Sequence, residues 1–219
     1  MFPIRDHTPT KSIPVINYTI IAVTVAVFLL QLSVQNFDDF IEAYGFVPSR
    51  FSLFNTGTYL TILTSIFLHG GIFHIASNLW FLHIFGDNVE DRLGHGVYPV
   101  FYVLCGIAAT MSQYIFAPDS LIPMIGASGA ISGVTGAYFV YFKKSKIEAL
   151  VPVGYTAQTV LLPSWFFLGY WFVIQVFSGI GSLATVHQGG VAFFAHIGGF
   201  VTGYVLAKIL SAENRHNQV

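Results

Sequence analysis

Gly126-Ala127-Ser128-Gly129-Ala130-Ile131-Ser132-Gly133 is a run of small residues with two hydroxyls at the head of an apolar segment. A second apolar segment, far along the chain, carries Ala195-His196-Ile197-Gly198-Gly199-Phe200. An imidazole in hydrocarbon is costly and needs a reason. A serine nucleophile needs a base to take its proton. If two membrane helices bring Ser128 and His196 together, the chain is a serine hydrolase working inside a bilayer.

The composition supports the membrane half of that reading. Of 219 residues, 54% are hydrophobic and only 9% are charged, against about 25% charged in an ordinary soluble domain. So few charges cannot cover a water-soluble globule of this size. The net charge of −1 gives no sign of nucleic-acid binding. The one cysteine, Cys105, lies in an apolar run and reads as a small core thiol. No G-x-G-x-x-G follows a strand, so no dinucleotide cofactor is expected.

A membrane-spanning helix needs about 20 apolar residues. Six segments come close: Ile13–Leu32, Leu60–Ile84, Val97–Phe116, Ala127–Phe142, Leu161–Ile180 and Val191–Leu210. The expected fold is an all-α bundle of six transmembrane helices, a single membrane domain over residues 1–219 with short polar tails at 1–12 and 211–219. The fourth segment is short and follows Pro123, so a loop is expected to dip below the surface and meet it. With the N-terminus inside, Arg5, Lys11, Arg92, Lys143, Lys144, Lys146, Lys208 and Arg215 fall on inner segments and only Arg50 falls outside. This predicts N-in and C-in. It also puts the starts of helices four and six, and with them Ser128 and His196, at similar depth. The first outer loop, about Gln35 to Tyr59, mixes aromatic and acidic residues and reads as an interfacial element, its functional reading being a gate beside the site.

Small residues four apart let helices approach closely. Gly129 and Gly133 on helix four and Gly199 and Gly203 on helix six have that spacing. Close approach is also what a direct Ser–His hydrogen bond requires. On helix two, His74 and Asn78 are four apart and share a face. Both can donate hydrogen bonds. Beside the Ser128 backbone N–H they would form a hole for the oxyanion of acyl transfer.

Other hydrolytic chemistries fit poorly. His69 and His74 enclose no glutamate, so the zinc-protease pattern is missing. A site of His69, His74 and His83 alone lacks an acidic partner. Asp87, Glu90 and Asp91 cluster beside Arg92 after helix two, away from the serine, and read as a structural ion network rather than an aspartic dyad. No metal and no cofactor is expected.

With these residues in place, the sequence resembles the rhomboid intramembrane serine proteases over roughly Met1 to Leu210. Gly126–Gly133 is similar to the family's G-x-S-G motif, and Ala195–Phe200 to its histidine motif. His74-Ile-Ala-Ser-Asn78 resembles its H-x-x-x-N element, with His69 as the additional histidine before it. Gly86–Gly94 resembles the loop after helix two, and Gly199 and Gly203 the helix-six glycines. The resemblance implies a Ser128–His196 dyad rather than a triad, with Ser128 as nucleophile and His196 as general base and acid. It implies an oxyanion hole from His74, Asn78 and the Ser128 N–H, and a loop shaped by Gly126. Transmembrane segments of other membrane proteins are the implied substrates, within the lipid bilayer. Two positions depart from the pattern. Leu60 and Thr61 stand where some relatives carry Trp-Arg, and Ser132 stands where some carry a tyrosine that stacks on the histidine. No residue is thereby assigned to orienting His196.

The expected mechanism runs through an acyl-enzyme on Ser128 that water resolves. The alternative is an inactive rhomboid-like protein that binds and escorts membrane clients. A channel lined by the polar residues of helix two would leave the Ser128 motif without a role. The compact six-span form suggests a prokaryotic plasma membrane.

Overall fold

Val15–Ser33 contains no charged residue, and it forms one helix, α1, because a backbone in hydrocarbon must satisfy its hydrogen bonds internally. Asn17, Thr24 and Gln31 recur every seven residues along it and are all buried, so one polar stripe faces the bundle. The structure, a computed structural model, describes residues 1–183 and 190–216, with side chains of the last helix described to Ala212.

Seven further α-helices follow among the described residues: α2 (Phe37–Tyr44), α3 (Thr56–Thr64), α4 (Ile72–Leu93), α5 (Val97–Phe116), α6 (Ser128–Tyr141), α7 (Ser164–Ser182) and α8 (Phe193–His216). Among the described residues, α1, α5, α7 and α8 are each long and apolar enough to cross a membrane. The expected second span, Leu60–Ile84, is not one straight helix. A short 3-10 turn, Ser65–Phe67, and Gly70-Gly71 separate α3 from α4, and the two pieces meet at 81°. Counted as one broken span, they make a fifth candidate. At 14 residues, α6 is too short to be counted by length.

Burial explains why α6 is nonetheless the centre. Residues 129–138 are all buried, and α4, α5, α7 and α8 pack around them. The small side chains of α6 let its neighbours approach to backbone distance. A methyl group on Gly203 of α8 would overlap the Gly133 backbone, and one on Gly199 would overlap the carbonyl of Gly129. Gly136 is similarly closed by the carbonyl of Phe200. Cys105 of α5 is fully buried and packs on Gly133, the core position expected of it.

The all-α expectation needs correction. Phe2–Asp6 (β1), Lys146–Val153 (β2) and Thr156–Pro163 (β3) form a three-stranded antiparallel sheet in the order β1-β2-β3. Alternating side chains and a two-residue turn with Gly154 at φ +60° shape the β2–β3 hairpin. Leu161, expected in the fifth span, belongs to β3 instead. Within residues 1–12, β1 and its neighbours are hydrogen-bonded to the bundle. Trp80 Nε1 donates to the Pro3 carbonyl (2.7 Å), and Asp6 Oδ2 accepts from Tyr138 Oη (2.8 Å) and Asn88 Nδ2 (3.1 Å). At the other end, residues 211–216 continue α8, and the remainder of the expected tail, 217–219, lies outside the described residues.

The acidic cluster is structural, but it lies in the last turns of α4 rather than in a loop. Glu90 is fully buried and accepts from the backbone N–H groups of Ile16 (2.9 Å) and Asn17 (2.6 Å). It closes the first turn of α1, where helix N–H groups lack partners and the dipole favours an anion. Asp91 accepts from Ser12, while Asp87 accepts from Asn88.

Candidate active site

Ser128 opens α6, so its backbone N–H belongs to the first turn and is not used within the helix. Its hydroxyl Oγ lies 2.8 Å from Nε2 of His196 on α8. The glycine contacts between α6 and α8 make this possible, because they fix the two helices at backbone contact one and two turns below the pair. The expected agreement in depth between Ser128 and His196 is thus seen as a direct hydrogen bond.

The loop before α6 is tied to the bundle by backbone hydrogen bonds. Phe46 and Met124 exchange backbone hydrogen bonds (3.1 and 2.7 Å), and Gly126 N–H donates to the Ser65 carbonyl (2.9 Å). Gly126 has φ +120°, in the region that favours glycine. A Cβ there would meet His74 Nε2 at 2.7 Å. The His74 ring therefore lies directly over the loop that precedes Ser128.

His74, Asn78, Ser128 and His196 all face one cavity of about 700 Å³. His74 Nδ1 accepts from the Gly70 N–H (3.3 Å), which leaves Nε2 turned toward Gly126. Asn78 Nδ2 donates to the His74 carbonyl (2.8 Å) with one of its two protons. His69 stands apart from this group. It is fully buried, its ring centroid is 5.0 Å from that of His74, and Gln31 of α1 clamps its backbone N–H and carbonyl (3.1 and 3.2 Å). Gly129 is closed by Ala109 of α5, while Gly199 and Gly203 hold α8 to α6.

Three side chains around His196 were not anticipated. Gln175 of α7 places Oε1 2.7 Å from His196 Nδ1. Trp171, one turn earlier on α7, has its ring 6.0 Å from the His196 ring, tilted by 32°. Gln113 of α5 accepts from the backbone N–H groups of Phe194 and Ala195 (3.1 and 3.3 Å), where α8 begins. The Ser132 hydroxyl donates to the Ser128 carbonyl (2.6 Å). The signal for Gln175 was available, because it is the lone amide in the apolar run Trp165 to Ile180. The rule that made His196 a functional hypothesis applies to an intramembrane amide as well.

A helical, multi-pass membrane protein with a serine and a histidine hydrogen-bonded at the wall of a cavity is the class that fold and site define. Residues 56–213 match the model of the Rhomboid domain, more than two thirds of the chain, and the protein belongs to the rhomboid family. It is 28% identical over 199 residues to the "Rhomboid protease GluP" of Bacillus subtilis (strain 168), covering 90% of this chain and 35% of that one. It is 31% identical over 157 residues to "RHOMBOID-like protein 6, mitochondrial" of Arabidopsis thaliana, covering 68% and 43%. A shorter match, 33% over 76 residues, covers 35% of this chain and 5% of the "Inactive rhomboid protein 1" of Drosophila melanogaster. The family thus includes serine proteases and inactive members. The chain spans about a third to under half the length of the first two relatives. Because plant relatives named for mitochondria and chloroplasts stand beside the bacterial one, the expected prokaryotic plasma membrane is not supported. What the helices and the family support is an integral membrane protein.

Proposed function

We propose that this protein is an intramembrane serine endopeptidase that cuts peptide bonds in or near transmembrane segments of other membrane proteins. The observation that carries the reading is the 2.8 Å contact between Ser128 Oγ and His196 Nε2 at the wall of the cavity.

In this reading Nε2 of His196 takes the Ser128 proton as Oγ attacks the scissile carbonyl carbon. The resulting oxyanion is met by the Ser128 backbone N–H, by His74 Nε2–H and by the free proton of Asn78 Nδ2. The start of α6 adds the positive end of a helix dipole. The C–N bond then breaks as His196 returns the proton to the leaving amine. Water, activated by the same imidazole, hydrolyses the acyl-Ser128 ester. A substrate helix must unwind before cleavage, because its carbonyls are hydrogen-bonded within it. Gly, Pro or other helix-weakening residues near the cut are therefore expected.

The same reading takes the chain as six spans, N-in and C-in. The broken α3–α4 pair supplies the second span and the short α6, reached by the dipping loop, the fourth. Eight of nine basic residues then lie inside. The first outer loop, with α2, lies at the membrane interface, and its Pro48 lines the cavity.

The test is cleavage of a fluorescent single-span substrate in liposomes by the wild type, Ser128→Ala and His196→Ala. Cleavage by the wild type that both substitutions abolish supports the reading. A wild type inactive on several spans, yet co-purifying with them, favours the client-binding alternative.

A further inference from the structure

We propose that Gln175 is a positioning residue that selects the tautomer of His196, so that the working unit is Ser128–His196–Gln175. This inference rests on the serine-protease reading above and adds a member to its site.

An imidazole can act as base toward Ser128 only if Nε2 carries a lone pair, which requires the proton on Nδ1. A neutral ring has no intrinsic reason to hold it there. The choice is made by whatever Nδ1 meets. Here Nδ1 meets an amide oxygen, Gln175 Oε1, at 2.7 Å. An oxygen can only accept, so Nδ1–H donates and Nε2 faces Ser128 Oγ with its lone pair.

The geometry gives the amide unusual authority. Gln175 is 8% exposed, so water competes little for either partner. Trp171 lies four residues before it on α7 and limits the tilt of the ring from one side. Gln113 fixes the backbone of α8 just before His196, leaving ring rotation as the remaining freedom. Gln175 restrains that rotation. Ser132, one turn along α6, donates its hydroxyl proton within its own helix.

Unlike a carboxylate, the amide does this without a charge. It orients the ring without burying an anion in the bundle, where an unpaired carboxylate is expensive. When the ring becomes an imidazolium, the same oxygen continues to accept from Nδ1–H.

Gln175→Met keeps length and apolar volume but removes the acceptor. In the liposome assay, Gln175→Met is expected to lower kcat about 10- to 100-fold, the range for removing a partner that orients an imidazole. KM should stay within about twofold and thermal unfolding should be unchanged. Nitrogen NMR of 15N-histidine-labelled wild type should show His196 neutral with its proton on Nδ1, a readout that needs no variant to fold. The inference is overturned by an Nε2–H tautomer in the wild type or by an unchanged kcat in Gln175→Met. If wild-type cleavage also survives Ser128→Ala, the underlying protease reading has failed. If it depends on Ser128 while Gln175→Met is fully active, only the tautomer assignment has failed.

Discussion

Gly203 of α8 lies against Gly133 of α6 with no room for a methyl group between them, seven residues from His196 on one helix and five from Ser128 on the other. The hydrogen bond between those two side chains is therefore a consequence of how closely two backbones pack. Small residues at the crossing set the distance at the reacting atoms.

Substituting Gly203→Ala should separate the helices locally and cost about 1–3 kcal/mol, the usual penalty for overpacking. Thermal unfolding in detergent micelles checks this. Gly181→Ala on α7, where an added methyl meets nothing within 4 Å, is the matched control and should unfold like the wild type. Cleavage should fall in the first variant and persist in the second.

The oxyanion donors predict a different pattern. His74→Ala and Asn78→Ala should each lower kcat by about 10²–10³-fold, as when one such donor is removed, with little change in KM. Steady-state kinetics in liposomes separates the two parameters. A rise in KM at constant kcat would move both residues from transition-state stabilisation to substrate binding.

Gly126→Ala combines a strained backbone at φ +120° with a Cβ only 2.7 Å from His74 Nε2. It should displace the His74 ring while leaving the Ser128–His196 contact in place. Cleavage is expected to drop by at least 10-fold, the scale of a misplaced oxyanion donor, while modification of Ser128 by a small fluorophosphonate continues.

Glu90→Ala should destabilise without touching the chemistry. It strips the partner from the N–H groups of Ile16 and Asn17 at the start of α1, and an unsatisfied buried group costs about 1–3 kcal/mol. The unfolding temperature should fall, and kcat measured below the transition should match the wild type.

The sheet should respond to acid. The Arg5 guanidinium beside Glu148 (2.5 Å), aided by His7, holds the Glu148 carboxyl below the usual carboxylate range. A depressed carboxyl contributes stability above its unfolded value, about 4.3, and that contribution fades as pH falls through the lower folded value. The protection factors of the β1 amides, corrected for intrinsic exchange, should therefore fall on acidification into that range, and Glu148→Gln should remove that fall.

Much of the bundle was legible because hydrocarbon imposes one rule on every span. The segment read at Val97–Phe116 is α5 residue for residue, and Ala127–Phe142 differs from α6 by one residue at each end. Hydropathy could not locate the break after Thr64, because Ile66, Phe67 and Leu68 are as apolar in a turn as in a helix. Nor could it find the sheet. Five residues of β1 are too few for periodicity, and their partner strand lies more than 140 positions away in sequence. At the site, Ser128, His196, His74 and Asn78 stood out as polar groups in apolar runs, and the structure gathers all four at one cavity. Gln175, Gln113 and Gln31 are the same kind of signal, but the partner that gives each amide its role lies elsewhere in the sequence.

The most direct test of the central claim is to treat the protein in liposomes with a fluorophosphonate and map the adduct by peptide mass spectrometry. The account predicts a single adduct on Ser128, at least 10²-fold slower in His196→Ala, the lower range for losing a general base. An unmodified Ser128 in a preparation that cleaves its substrate, or equal modification with and without His196, would contradict it.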